Sequence, residues 1–209
     1  MRTGERSTVE QGRAAGAHGR LDPRVERTRG LLQEALLQLA RVRPLDDISI
    51  ADIADAATVN RTTFYQHYVD KETLLADAID AQVARSGADL TGMDESLGDA
   101  QSPPPQLLRY LEHVADNAGL YRRTLGAHGS PIAMMRLRDR ITALVLVGLE
   151  LYGPGPGEPE TPVEIAAASI SGSIMGVLWA WLEREPLSPP DVAAEWMWRA
   201  LTQSRPSDR

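Results

Sequence analysis

Between Asn60 and His67 the chain places an arginine, two threonines, a tyrosine, a glutamine and a histidine, with no carboxylate among them (NRTTFYQH). Each of these side chains donates or accepts hydrogen bonds, and the fixed charge is positive. That mixture suits a polyanion carrying a readable pattern of donors and acceptors, which is what a DNA duplex presents. Arg61 is suited to direct reading, because its planar fork matches the O6/N7 edge of guanine. Thr62, Thr63 and Gln66 suit base edges and thymine methyl groups, whereas Tyr65 and His67 are better placed to position the backbone. Catalytic constellations are missing from the chain: it shows no nucleophile elbow, no P-loop, no glycine-rich dinucleotide turn and no pair of metal ligands at helical spacing.

These side chains work only if a helix presents them together. Phe64 and Tyr68 at i, i+4 supply its buried side; with Phe64 inward, Thr62, Thr63, Tyr65 and Gln66 point outward, flanked by Arg61 and His67. A helix about 10–12 Å across fits the ~12 Å major groove. Asn60 is the expected N-cap, and the first turn offers unpaired N–H groups and a positive dipole end to phosphate. Upstream, Ser49 and Asp52 have capping-box spacing and open a short helix whose inward face is Ile50, Ile53, Ala54 and Ala57. Thr58 and Val59 make the break. A supporting helix begins at Asp22-Pro23, buries Val25, Leu32, Leu36 and Leu39, and is closed by Pro44. Two short helices, a tight turn and a supporting helix make a helix-turn-helix. Asp70 caps the next helix and places Lys71 in its first turn, where the dipole disfavours a cation; that position asks for an external anion, and a DNA phosphate is the expected one. Ser49, Asn60 and Lys71 therefore join the candidate DNA contacts.

The run TVNRTTFYQHYVDKETLL, Thr58 to Leu75, with its T-F-Y-x-H-Y-x-x-K-E-x-L-L pattern, resembles the N-terminal domain of the TetR/AcrR family of transcriptional regulators. The resemblance covers residues 24–80. It implies base or groove contacts from Arg61, Thr62 and Thr63, phosphate contacts from Tyr65, His67 and Lys71, and a core role for Phe64. It further implies a homodimer, usually a repressor, that binds a palindromic operator and answers to a small-molecule effector. Thr58 departs from the pattern, since the family often has a turn glycine there.

The rest of the chain is read as helical too, without strand-like alternation, so the expected class is all-α: a three-helix reading unit and a larger helical body. Three parts are expected: an arm at 1–20, the helix-turn-helix domain at 21–72, and an effector-binding and dimerisation domain at 73–209. Body helices are expected from Lys71, from about Gln106 to Ala118, from Leu120 to Leu125, from Pro131 to before Gly153, from Pro162 to about Glu183 and from Asp191 to about Gln203. Tyr110, His113 and Asn117 share a helical face at i, i+3, i+7, and with Met134, Ile141, Met175 and Trp179 they are the candidate effector lining. Small residues Ala166, Ser169, Gly172, Ser173 and Gly176 suit close helix approach across a dimer.

Charge agrees with a local rather than global nucleic-acid surface. The net is −7, yet residues 1–72 carry 11 basic and 11 acidic groups, so the whole excess lies downstream. No cysteine occurs, which excludes disulfides and thiolate metal sites. No cofactor is implied. The stretches Ile141–Leu149 and Ser169–Leu182 fall short of the ~18–20 residues of a membrane span, and the first twenty residues lack an apolar signal region, so a cytoplasmic protein without membrane contact is expected. The alternative from another class is an all-helical binding protein or enzyme without DNA contact.

Overall fold

The computed structural model describes residues 22–90, 102–126, 129–152 and 161–202, and among these every regular element is helical. The all-α class holds. Expectations for the arm at 1–20 and for the loop at Gly153–Gly157 fall outside the described residues.

The N-terminal unit contains α1 (Pro23–Ala40), a 3₁₀ turn (Leu45–Asp47), α2 (Ile50–Ala56) and α3 (Arg61–His67). Local chemistry sets each boundary. Asp22 accepts from the Arg24 N–H at 2.9 Å ahead of Pro23, and α2 opens on a complete capping box. Leu32, Leu36, Ile48, Ile53, Phe64, Leu74 and Leu75 are each 0 % exposed and close one core beneath α3. The helix α4 (Lys71–Arg85) belongs to two cores: Leu74, Leu75 and Ala78 pack into that one, while Ala76 and Val83 face the body.

The body is built from α5 (Pro105–Asp116), α6 (Ala118–Leu125), α7 (Pro131–Tyr152), α8 (Val163–Leu182) and α9 (Pro190–Thr202). Its main core gathers Leu111, Val114, Tyr121, Leu178, Trp181 and Ala193 from α5, α6, α8 and α9. A smaller cluster, with Ile141, Val145, Ile170 and Met175, seals α7 against α8.

One expectation needs correction. Helix α8 has a single charged side chain, Glu164, near its start, so by length and composition it is apolar enough to cross a bilayer, with mean hydropathy 1.6. The stretch counted from Ser169 began too late, because Ile165 to Ala168 extend it. In the fold α8 packs on α7 and α9 through Ala167, Ile170, Met175 and Leu178, while Gly172, Ser173 and Gly176 stay exposed among the described residues.

Candidate nucleic-acid interface

The turn into α3 is a Schellman motif: the Val59 N–H donates to Ala54 O at 2.9 Å and the Thr58 N–H donates to Asp55 O at 3.1 Å. Its central residue must turn left-handed, and Thr58 does so at φ +56°. This is the position where the resemblance led one to expect glycine. The turn keeps its hydrogen bonds with a β-branched residue held in a region that costs about 1–2 kcal/mol.

Asn60 then caps α3, its Oδ1 accepting from the Thr63 N–H at 2.7 Å and from the Thr63 hydroxyl at 3.0 Å. Phe64 is 0 % exposed and Tyr68 is buried, while Arg61, Thr62, Tyr65 and Gln66 face solvent and Thr63 and His67 lie at the margins. Tyr65 stands edge-on to Phe64 at 5.5 Å between centroids, so its outward pose is braced by the ring below. Ser49 is occupied in the capping box: its hydroxyl donates to Asp52 Oδ2 at 2.8 Å and accepts from the Asp52 N–H at 3.1 Å. The Ser49 N–H, then its hydroxyl, hold the Asp52 carboxyl below its ordinary range.

Lys71 has internal partners. Its ammonium donates to Leu45 O at 2.7 Å, Ile48 O at 2.9 Å and Asp46 O at 3.4 Å, which uses all three N–H bonds on carbonyls of the 3₁₀ turn. The negative partner that its helix position asks for is thus found inside the fold.

Sequence reasoning missed what fastens α3 from behind. The Tyr68 hydroxyl accepts from Arg29 Nε at 3.2 Å and from Gln33 Nε2 at 3.1 Å, and the Arg29 guanidinium lies 5.1 Å from the Tyr68 ring centre. Arg29 also pairs with Asp77 at 2.5 Å. Arg136 of α7 binds the other oxygen of Asp77, so one α4 carboxylate joins α1 of the N-terminal unit to the body. The available signal was a pair of polar residues at i, i+4, Arg29 and Gln33, beside the buried Leu32 and Leu36. Consecutive arginines of α6 add two further ties: Arg122 donates to Leu182 O and Arg184 O at the end of α8, and Arg123 to Ala40 O and Arg41 O at the end of α1.

The body candidates are dispersed. Tyr110 is buried, and burial pushes its phenol up to about 12. His113 is buried edge-on to Tyr121 with Nε2 unpartnered, and burial pulls its pKa down. Asn117 works as a strut: its Oδ1 accepts from Gln82 at 3.0 Å and its amide donates to His113 O at 2.9 Å. Ile141 and Tyr110 line one apolar cavity; Met134, Met175 and Trp179 pack in the α7–α8 cluster instead. Among the described residues no group of three or more His, Asp or Glu is placed to hold a metal.

Residues 32–78, from the middle of α1 into α4, match the family described as bacterial regulatory proteins, tetR family. Residues 32–78 are thus a TetR-family segment within this chain. It is similar to the uncharacterized HTH-type transcriptional regulator YxbF of Bacillus subtilis, at 30 % identity over 179 residues. That alignment takes in 83 % of this chain and 44 % of YxbF, so the chain spans under half the length of the curated relative it matches. Solved structures share the fold. A TetR transcriptional regulator from Streptococcus agalactiae aligns with TM-score 0.62 and 19 % identity, covering 88 % of this chain and 96 % of its own. NalD of Pseudomonas aeruginosa, the secondary repressor of the MexAB-OprM multidrug efflux pump, gives 0.57 and 18 %, covering 86 % and 95 %. FadR of Thermus thermophilus, a TetR-family repressor in complex with lauroyl-CoA, gives 0.56 and 20 %, covering 87 % and 96 %. The matched segment takes in α2 and α3 whole, with the second half of α1 and the first half of α4.

Proposed function

We propose that this protein is a ligand-responsive transcriptional repressor that acts in the cytoplasm and binds a roughly palindromic operator as a homodimer. The observation that carries the reading is α3 itself: an aromatic underside sealed in the core and a solvent face of Arg61, Thr62, Tyr65 and Gln66. Arg61, Thr62, Thr63 and Gln66 read base edges; Tyr65 and His67 set the register on phosphate, with Ser49, Asn60 and Lys71 framing the helix. Two such helices enter successive major grooves ~34–36 Å apart or a multiple of that distance. In this reading residues 21–72 contact DNA and 73–209 dimerise and bind the effector.

A second copy of the chain suits the open face of α8. Ile165 is 60 % and Val163 44 % exposed, and Ser169, Gly172, Ser173 and Gly176 lie on exposed positions beside them. Among the described residues, packing inside one chain does not use the two glycines: a Cβ at Gly172 or Gly176 would meet nothing within 4 Å. The repressor sign follows NalD and FadR, both repressors of the same fold. No catalytic step is assigned.

The test is selection of genomic fragments followed by gel shift. Arg61→Ala is expected to weaken operator binding by about 5- to 150-fold, which corresponds to ~1–3 kcal/mol for one bidentate base contact. Equal binding by the variant removes Arg61 from the reading face, and absence of any selected sequence removes the function.

A further inference from the structure

Two cavities meet at one side chain. The first, about 50 Å³, lies between α5, α7, α8 and α9 and is walled by hydrocarbon, with Leu107, Ile141, Leu144, Leu178 and Met197 prominent. The second, about 20 Å³, lies between α4, α6 and α7 and is lined in part by Asp80, Arg136 and Arg140. Tyr110 lines both.

Among the described residues no charged side chain lines the first cavity. The charges beyond Tyr110 are already matched to one another. Arg29 and Arg136 share Asp77, Arg136 approaches Asp80 at 3.7 Å, and Arg140 binds Asp80 at 3.4 Å and Asp89 at 2.6 Å. Three guanidiniums alternate with three carboxylates in a ladder without net charge. An ionic ligand in the first cavity would leave water with no counter-charge to meet it, at a cost of several kcal/mol. A hydrocarbon pays no such penalty, and an apolar cavity that opens to ~150 Å³ stays dry and admits an aromatic ring.

We propose that the apolar cavity takes an uncharged, hydrocarbon-rich small molecule, and that Tyr110 passes its presence to the ion-pair ladder behind it. The regulatory half rests on the effector reading above; the ligand class rests on the cavity alone. A cavity of about 50 Å³ must widen to admit a ligand. Met197 is an adaptable wall, and the space behind Tyr110 is the other place that can give. A displaced Tyr110 moves toward Asp80 and Arg140. Asp77 lies one turn earlier on α4, and from it Arg29 leads to Tyr68 at the end of α3. Tyr110 is thus a positioning residue for the reading helix.

The full chain is tested with three molecules of one ring size and different charge: toluene, benzoate and benzylammonium. Toluene is expected to raise the melting midpoint and to shift the methyl resonances of Ile141, Leu144 and Leu178, with no response to the two ions at equal concentration. Equal stabilisation by either ion, no response to toluene, or shifts confined to other methyls overturns the ligand class. Toluene is also expected to change operator affinity several-fold in the wild type and in Tyr110→Phe. In Tyr110→Ala it is expected to bind, by the same methyl shifts, without changing operator affinity. An unchanged affinity in the wild type, or a full response in Tyr110→Ala, overturns the role of Tyr110. Failure of the regulator reading is distinguishable, because it shows as absence of sequence-selective DNA binding before any toluene is added.

Discussion

Lys71 illustrates how much a single residue's meaning depends on its neighbours. A lysine in the first turn of a helix faces the positive end of the dipole, and an external phosphate is one way to offset that. The fold supplies another, three carbonyls of the Leu45–Asp47 turn and its end. Charge-assisted hydrogen bonds of this kind contribute about 1.5–3 kcal/mol each at most, and removing the donor leaves part-buried acceptors unpaired. Lys71→Met is therefore expected to lower stability by roughly 1–3 kcal/mol in urea unfolding. It is expected to leave the slope of log affinity against log salt unchanged. A slope reduced by about 0.9 would instead make Lys71 a direct phosphate contact.

At the scale of elements, the α2–α3 connection stores strain that can be released. Thr58 is exposed, so its side chain contributes little packing, yet its φ of +56° is the conformation glycine adopts freely. Relief of about 1–2 kcal/mol is partly offset by the ~0.5–1 kcal/mol of extra backbone freedom glycine has when unfolded. Thr58→Gly should stabilise the chain by about 0.5–1 kcal/mol, read as a higher thermal midpoint; a lower midpoint would show that the threonine is not strained there. The elements themselves were legible because their signals are local. Asp22-Pro23, Ser49 with Asp52, Asn60 and Asp70 each act within three residues of a helix start, and all four cap as expected. The face of α3 was legible for the same reason: Phe64 and Tyr68 recur at helical period, and that fixes what points outward.

At the scale of the whole molecule, two outcomes follow from what lies between helices. Gly176 lies on a face of α8 left exposed among the described residues, so Gly176→Arg is expected to preserve the fold of the single chain and to shift the proposed dimer toward monomer in sedimentation. An unaltered dimer would place the interface elsewhere. His113 links stability to pH. Burial depresses its pKa below the ordinary imidazole value of about 6.5, with Asp116 opposing, so the unfolded chain binds the proton more readily. Its contribution is complete above about pH 6.5 and is lost as pH falls through that value toward the depressed folded pKa. Urea midpoints for wild type and His113→Gln should differ in their pH dependence over this window alone, and parallel curves would mean that the imidazole is not desolvated.

The sequence by itself determined the helices, their caps, the buried aromatic side of α3 and the residues on its outer face, because capping and periodicity act over three or four positions. Only the tertiary structure decided how those pieces are tied: Lys71 onto residues 23 to 26 positions away, Arg29 onto Asp77 at a separation of 48, and Arg123 onto Ala40 at 83. It also separated Tyr110, His113 and Asn117, which share a helical face, into a cavity wall, a buried imidazole and a strut between helices. A side chain's spacing says which way it points from its own helix. What it meets there depends on the helices that pack across from it, and no local pattern encodes those.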